Sequence, residues 1–338
     1  MTKKKKVKKV TKNMNRRDVL SLFGGAASFA AWPQAVRAQE MPLIGVLSGT
    51  SRDARLLDAV KEGLAETGFV EGKNVAFEYR FAEGQFDKLP AMAADLISSK
   101  VAAIVGMQSP TAPLAAKAVS STVPIVFSIG GDPVKLGLVA SLNRPGGNVT
   151  GATFLVNSLG PKRLEVLREL APNAKLVGLL TNPKNPSSAS EISDVQTAAK
   201  TLGLQLHLER ASGPQDIDAA FANFVKQGVG GLAFAADAVF NAQRARIIAL
   251  AARHKLPTVY FYREFAVAGG LASYGGFDTE AYRAAGAYTG RILKGEKTAD
   301  LPVQQVTKVE LVLNIKTAKT LGLTLPITLL GRAEEVIE

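Results

Sequence analysis

The feature that most constrains the fold of this chain is an alternation of short apolar runs and longer amphipathic segments that occurs twice. The apolar run at 44–47 matches the run at 177–180, and the run at 123–126 matches the run at 256–259, both at an offset of 133 residues. A constant offset indicates duplicated units, although α/β proteins also share strand composition by chance. The alternation predicts parallel strands joined by crossover helices. We therefore expect an α/β protein with two Rossmann-like lobes.

The first of these units has four predicted strands and three predicted helices. The strands are expected at residues 42–47, 74–81, 101–105 and 124–128, and the helices at 52–68, 86–100 and 111–120. Open parallel sheets bind ligands beyond the carboxyl ends of their strands, at the switch point of strand order. The loops that follow the strands are therefore the candidate site, at residues 48–52, 106–111, 128–133, 181–187, 235–241 and 260–265.

The charge of the chain is concentrated in its first 38 residues. The formal net charge is +12, and residues 1–38 hold seven lysines, three arginines and one aspartate, a net +9. The other 300 residues carry only +3. The basic character therefore belongs to a leader, and we expect no nucleic-acid partner.

This leader has the three parts of a secretory signal peptide. A basic segment ends at Arg16-Arg17, a stretch of 14 mostly apolar residues follows at 19–32, and small residues precede a predicted cleavage after Ala38. The arginine pair resembles a twin-arginine signal, and the general secretory route is the alternative. An uncleaved membrane anchor is a further alternative. We expect a periplasmic mature protein.

The chemistry available to the chain is narrow. It contains no cysteine, which excludes disulfides, thiolate catalysis and cysteine metal sites. Nucleotide-binding glycine loops and nucleophile elbows are absent from the sequence, and His207 and His254 have no partners at metal or triad spacing. Asp132 and Asp237 could still form an acid pair across a cleft. We expect no cofactor, no metal and no enzymatic activity.

Hydroxyl groups in two loops of the first unit could hold a ligand carboxylate. Ser109 and Thr111 precede and begin a predicted helix, and Thr50 occupies the preceding loop. Helix N-termini offer free N–H groups to anions. The alternative is that Ser51 and Ser109 only cap their helices.

The loops of the second unit carry acids, amides and aromatic rings. Asp237, and Asp132 in the first unit, could meet a ligand ammonium or merely cap turns. The proline-rich segment at 182–186 could present Asn182 and Asn185 to a ligand, or serve only as a turn. One or two aromatic residues are expected to stack on a planar ligand group, from among Phe240, Tyr260, Tyr262 and Tyr274.

Three segments carry a resemblance to a known family. They are Gly-Asp-Pro-Val-Lys-Leu-Gly-Leu-Val at 131–139, Asn-Arg-Pro-Gly-Gly-Asn-Val-Thr-Gly at 143–151 and Leu-Asn-Ile-Lys-Thr-Ala-Lys-Thr-Leu-Gly-Leu at 313–323. With them, residues 41–338 resemble the substrate-binding components of ABC transporters in the group of tryptophan- and tyrosine-type binding proteins. The resemblance implies the type I periplasmic binding protein architecture, with two lobes joined by a three-strand hinge.

The resemblance also implies a function and a division of the chain. A small amino acid or aromatic acid would be captured between the lobes by hinge closure and delivered to a membrane permease by a monomeric protein. Lobe 1 is expected at 39–154 and 275–304, and lobe 2 at 155–274 and 305–338. The predicted crossovers lie at 151–157, 273–277 and 301–307. The expected ligand-binding residues are Ser48, Thr50, Ser51, Gln108, Ser109, Thr111, Ser128, Gly130, Asp132, Asn182, Asn185, Asp237, Asn241, Tyr262 and Tyr274.

The sequence departs from the family pattern at one place, and two other functions are alternatives to solute capture for a transporter. Many relatives carry a glycine-rich stretch where this chain has Met107, Gln108 and Ser109, so ligand specificity does not follow from the resemblance. A ligand sensor of the same fold that docks on a receptor is the first rival. An exported two-lobed enzyme is the second, and the poor inventory of catalytic groups argues against it.

Overall fold

The computed structural model describes residues 41–276 and 278–338, so the predicted leader and the cleavage after Ala38 lie outside the described residues. The strands are β1 (Leu43–Ser48), β2 (Ala76–Phe81), β3 (Ala103–Met107), β4 (Ile125–Ile129), β5 (Val149–Thr153), β6 (Leu176–Thr181), β7 (Gln205–Arg210), β8 (Leu232–Phe234), β9 (Thr258–Tyr260), β10 (Ala272–Gly276), β11 (Gln304–Gln305), β12 (Val309–Asn314) and β13 (Glu335–Ile337).

Helices alternate with these strands. They are α1 (Ala54–Glu66), α2 (Leu89–Ser98), α3 (Thr111–Val119), α4 (Gly160–Leu170), α5 (Ser188–Thr201), α6 (Pro214–Lys226), α7 (Ala238–Ala242), α8 (Arg244–Arg253), α9 (Arg263–Val267), α10 (Asp278–Leu293), α11 (Ile315–Thr320) and α12 (Ile327–Leu330). Short 3-10 helices occur at Phe86–Lys88, Val156–Leu159 and Thr298–Asp300. None of the helices in the described part of the chain combines the length and the apolar character that crossing a membrane requires.

The strands form two sheets. The first has the order β11-β5-β4-β3-β1-β2 with parallel pairing throughout, and the second has the order β13-β12-β10-β9-β8-β6-β7. In the second sheet only β10 and β12 pair antiparallel. The α/β architecture with two mostly parallel sheets confirms the predicted fold class. We call the first sheet with its helices the first lobe and the second sheet with its helices the second lobe.

The duplicated pattern corresponds to equivalent strands. β1 and β6 each begin their lobe, and β4 and β9 occupy the other pair of matching runs. Boundaries differ near residue 100, where the helix predicted at 86–100 ends at Ser98 and β3 begins at Ala103, two residues later than predicted. Lys100 has a φ of +57°, a left-handed conformation that a helix cannot continue through.

The chain crosses between the lobes three times. It leaves the first sheet after β5, returns from β10 to α10, and crosses again between β11 and β12. These crossovers lie side by side, because a Cβ atom on Gly276 would be 3.1 Å from the carbonyl oxygen of Phe154 and 3.5 Å from that of Lys308. The lobe boundaries expected from the sequence, after residues 154, 274 and 304, stay a prediction. β10 belongs to the second sheet as far as Gly276.

Helices cover both faces of the first sheet. Ile44 and Val46 pack in the same core cluster as residues of α1, whereas Leu47 packs in the cluster that contains residues of α2 and α3. The α1–α10 contact is close enough for backbones to touch, since a Cβ atom on Gly63 would stand 1.8 Å from the carbonyl oxygen of Arg283. Burial on both faces explains why β3 and β4 consist of apolar residues apart from Ser128.

Candidate functional site

The candidate site lies where strand order reverses in both sheets. In the first sheet β1 stands between β2 and β3, and in the second β6 stands between β7 and β8. The loop after β1 therefore runs away from the loop after β3, and the loop after β6 runs away from the loop after β8. Each divergence opens a crevice at the carboxyl ends of the strands, one in each lobe. Ser48, Gln108, Asn182 and Asp237 follow or end these four strands.

A cavity of about 470 Å³ occupies the space between the lobes. The first lobe contributes one wall, with residues from the loop after β1, the start of α1, the end of β3 and α10. The second lobe contributes the other wall, mainly from α7, the start of α8 and the loop after β9. The lining residues are Thr50, Ser51, Arg52, Asp53, Ala54, Leu56, Gln108, Ala238, Asn241, Ala242, Arg244, Tyr262 and Tyr282.

A smaller inner cavity of about 30 Å³ adjoins it and shares several lining residues, Gln108, Ala238, Tyr262 and Tyr282. Its other lining residues are Ser109, Pro110, Ile129, Gly130, Phe154, Val156, Asn157, Asn185, Ala236 and Asp237. The ring of Phe154 lies 6.3 Å, centre to centre, from the rings of both Tyr262 and Tyr282. Aromatic rings from three parts of the chain therefore meet in the cleft.

Gln108 holds the wall of the first lobe together. Its backbone N–H donates to the phenolic oxygen of Tyr282 at 3.2 Å, and its side-chain oxygen accepts a hydrogen bond from the hydroxyl of Ser48. Gln108 has a φ of +64°, an uncommon conformation for a residue other than glycine. Such strained positions concentrate at ligand sites, where the surrounding contacts hold them.

The two hydroxyls predicted to hold a carboxylate bind each other. Ser109 Oγ and Thr111 Oγ1 form a hydrogen bond, and Ser109 Oγ also accepts from the backbone N–H of Thr111 at 3.3 Å. Ser109 lines the inner cavity, whereas Thr111 lines neither cavity. Each hydroxyl therefore already has a partner within its own turn.

The carboxylate of Asp237 is held by four donors of the second lobe. Asn182 Nδ2 donates to Oδ1 at 3.1 Å, Asn185 Nδ2 donates to Oδ2 at 2.8 Å, and the backbone N–H of Val239 donates to Oδ1 at 2.8 Å as the N-cap of α7. The backbone N–H of Phe240 is the fourth. Burial raises the pKa of Asp237, while the two amides oppose that effect.

A buried ion pair lies behind the inner cavity. Arg163 on α4 donates to Glu191 on α5 with both side chains fully buried, and its other terminal nitrogen donates to the carbonyl oxygen of Val156 at 3.0 Å. Glu191 also accepts from Asn157 Nδ2 at 2.7 Å and from the backbone N–H of Ala236 at 3.2 Å. Burial raises the pKa of Glu191 to about 7, although Arg163 opposes the rise.

An ion pair also joins the lobes at the rim. Arg55 on α1 lies 3.4 Å from Glu264 on α9, measured between Nη1 and Oε1. Both side chains are partly exposed, so solvent screens this pair. Deeper in the cleft, a Cβ atom on Gly131 would be 2.5 Å from the hydroxyl of Ser187, which shows that the lobes also touch there.

The structure brings most of the predicted residues to the cleft. Those that line one or both cavities are Thr50, Ser51, Gln108, Ser109, Gly130, Asn185, Asp237, Asn241 and Tyr262. Ser48 and Asn182 are buried behind them and hydrogen-bond to Gln108 and Asp237. Whether any of these residues binds ligand remains a prediction.

Four predicted residues lie away from the lining of both cavities. Besides Thr111, Asp132 caps a turn by accepting from the N–H groups of Val134 and Lys135 at 2.9 and 3.2 Å. Ser128 is fully buried at the end of β4. Tyr274 lies in β10 and packs against the core of the second lobe.

Sequence reasoning missed four polar residues of the larger cavity, Arg52, Asp53, Arg244 and Tyr282. Arg52 ends the predicted 48–52 loop and Asp53 directly follows it, so the loop assignment carried a signal for both. Arg244 lies three residues past the 235–241 loop. Tyr282 is on α10, which follows a crossover, and no local pattern places that helix beside Gln108.

Comparisons with known proteins give a consistent result. The sequence model of the ABC transporter substrate binding protein family matches residues 40–337. A tyrosine-binding protein of Clostridioides difficile is 26% identical over 273 residues, which cover 79% of this chain and 77% of that protein.

Two solved structures are similar over 88% of the chain. The first is an ABC domain from Streptococcus pneumoniae in complex with L-Trp, which is 25% identical, with a TM-score of 0.79 and 99% of that chain covered. The second is a conserved domain protein from Vibrio cholerae, which is 26% identical, with a TM-score of 0.81 and 100% of that chain covered.

Proposed function

Because the chain belongs to the family of ABC transporter substrate-binding proteins, we propose that it captures a free amino acid with an aromatic side chain in the cleft between its lobes. The observation that carries this proposal is the 470 Å³ cavity, whose walls come from both lobes. Ligand pockets for small molecules fall in this range of volume. A ligand that touches both walls stabilises the closed arrangement over an open one.

The aromatic preference rests on the residues around the cavity. Tyr262 from the second lobe and Tyr282 from the first line both cavities, and Phe154 joins them in the inner one. Rings with centres about 4.5–7 Å apart pack favourably, so an aromatic ligand side chain has partners on either side. The two relatives described as binding tyrosine and L-Trp support the same ligand class.

Delivery to a membrane permease is the second part of the proposal. The three adjacent crossovers are suited to a hinge, because a few neighbouring residues can absorb the backbone rotation of two rigid lobes. Periplasmic location, export by the predicted leader and a monomeric state complete this proposal. Transport assays with the permease reconstituted in vesicles test it, and uptake that does not depend on the binding protein would refute it.

A thermal-shift screen tests ligand capture directly. The purified protein is heated with each of the twenty L-amino acids, and a ligand that binds only the folded state raises the melting temperature. At a hundredfold excess over Kd the stabilisation is about 2.7 kcal/mol. We expect the largest rise with tyrosine, tryptophan or phenylalanine, and mass spectrometry should recover the compound unchanged. A flat screen would overturn the proposal.

A further inference from the structure

We propose that Asp53 of the first lobe and Arg244 of the second lobe bind the ammonium and the carboxylate of the captured amino acid. Both residues line the 470 Å³ cavity, on walls that belong to different lobes. This inference rests on the proposed function and specifies which charges of the ligand the cleft recognises.

Asp53 keeps acceptor capacity on the cavity side. It is the N-cap of α1, and its Oδ1 accepts from the backbone N–H of Leu56 at a long 3.4 Å. Its Oδ2 lies 3.9 Å from Arg55, and the side chain is 29% exposed. A carboxylate has about four lone-pair sites, so these weak contacts leave room for the short hydrogen bonds that an ammonium donates.

Arg244 carries a charge that no carboxylate in the described part of the chain neutralises. Its guanidinium donates to Asn241 Oδ1 at 2.9 Å, which uses one of five N–H donors. No carboxylate of the described residues lies within 4.0 Å of it, whereas Arg246 on the same helix pairs with Asp218 at 2.6 Å. A half-buried guanidinium facing a cavity is suited to hold a carboxylate, with two parallel hydrogen bonds.

The other charged residue of the larger cavity is engaged elsewhere. Arg52 is exposed, and its guanidinium lies 5.5 Å from the centre of the Tyr79 ring, on the edge strand of the first sheet. Arg244 is therefore the better placed cation for a ligand carboxylate.

The groups that sequence reasoning assigned to the charged head are already satisfied. Asp237 is buried and accepts from two amides and two backbone N–H groups. Ser109 and Thr111 bond to each other. Recruiting these groups would require breaking existing hydrogen bonds in a buried setting, which costs free energy that Asp53 and Arg244 do not demand.

Because the two charges lie on opposite walls, the cleft should select ligands that carry both an ammonium and a carboxylate. A zwitterion bridges the lobes, while a molecule with only one of the two charges leaves the other residue without its partner. Site groups left unpaired reject analogues strongly. The cleft should therefore favour an α-amino acid over the deaminated acid or the decarboxylated amine of the same side chain.

The test uses isothermal titration calorimetry with three probes. They are the amino acid that stabilises the wild type most in the twenty-member screen, its deaminated acid and its decarboxylated amine. Asp53→Asn should weaken binding of the amino acid about tenfold or more and leave that of the deaminated acid within about twofold. Arg244→Gln should weaken binding of the amino acid and of the deaminated acid by a similar factor. Arg244→Lys should bind both compounds more tightly than Arg244→Gln does.

Asp218→Asn and Arg246→Gln are the matched controls, because they break an exposed ion pair on the outer side of the same lobe. Asparagine remains a good N-cap and glutamine a good helix former, so all variants should fold. Amino-acid affinity within twofold of wild type in Asp53→Asn or in Arg244→Gln would overturn the inference and leave the proposed function standing. A wild type that binds none of the twenty would overturn both.

Discussion

The backbone N–H of Gln108 and the phenolic oxygen of Tyr282 form a 3.2 Å hydrogen bond between residues 174 positions apart in the chain. The bond joins the end of β3 to α10, the helix that returns from the second lobe. It therefore couples the wall of the cavity between the lobes to the helix that follows one of the three crossovers. Under the proposed function, a ligand that contacts Gln108 would act on a residue bonded directly to that helix.

The strained backbone of Gln108 leads to the first prediction. Gln108→Gly relieves the positive φ but removes the side chain from the cavity wall. We expect the free energy of unfolding to fall by about 1–2 kcal/mol, because the hydrogen bond from Ser48 is lost while relief of strain and the added freedom of the unfolded chain oppose each other. Affinity for the amino acid found in the screen should fall about tenfold, measured by calorimetry.

The matched control for that variant is Lys100→Gly. Lys100 also has a positive φ, at +57°, but lies in the exposed turn before β3, at the opposite end of that strand from Gln108, and lines neither cavity. Lys100→Gly should change the free energy of unfolding by less than about 1 kcal/mol and leave the affinity unchanged. Equal affinities in the two glycine variants would show that the side chain of Gln108 does not contribute to ligand binding.

Asp237 is predicted to act mainly as a stabilising residue. Asp237→Ala removes the N-cap of α7 and leaves the amides of Asn182 and Asn185 without their acceptor. Urea denaturation should show a loss of about 2–4 kcal/mol. Asp132→Ala, which removes only a turn cap, should cost less than about 1 kcal/mol. Equal losses in the two variants would contradict this interpretation.

The buried Glu191 predicts a pH dependence of stability. Its pKa is raised from 4.5 to about 7 in the folded protein, so the native state binds the proton more tightly than the unfolded chain does. The stability from this group is present below about pH 4.5 and is lost as the pH rises to about 7. Glu191→Gln should abolish that slope and be at least as stable as wild type at pH 8.

Denaturant titrations at pH 5, 6, 7 and 8 check this prediction. Glu165→Gln is the control, because Glu165 forms an exposed ion pair with Lys162 on α4. The difference in the free energy of unfolding between Glu165→Gln and wild type should not vary with pH. A large loss of stability in Glu191→Gln at pH 8 would show that the ion pair with Arg163 outweighs the cost of burial.

The ion pair between Arg55 and Glu264 is predicted to favour closure. It joins the two lobes, so opening the cleft would separate its partners. Glu264→Gln should raise Kd by up to about fivefold at low salt, since exposed pairs contribute about 0–1 kcal/mol. The effect should shrink at high salt. Glu66→Gln breaks an exposed pair with Arg283 within the first lobe, and it should leave Kd unchanged.

Much of the fold was predictable because its signal is local. Strands such as β1 and β6 are short apolar runs bounded by turns, and their repetition at a fixed offset in the sequence indicates two similar lobes. The rule that ligands bind at strand ends then selected the loops that supply Thr50, Gln108 and Asp237. Each inference needed only patterns within a window of the chain.

The roles of individual side chains were harder to predict, because hydrogen-bond partners come from distant segments. Asp237 follows a strand end and carries a charge, which is why it suggested an ammonium site. Asn182 and Asn185 lie more than 50 residues away and supply donors to its carboxylate. A sequence window cannot show that such an acid is already satisfied.

The sequence by itself therefore determined the two-lobed α/β architecture, the family and the loops that form the cleft, because strand periodicity and turn chemistry act over a few residues. Only the tertiary structure decided which charges face the cavity. It placed Tyr282 against Gln108, set Asp53 and Arg244 on opposite walls, and buried Arg163 with Glu191. Those pairings depend on how the lobes pack and where the crossovers run, and the free energy of a buried or half-buried charge depends on partners that only packing brings together.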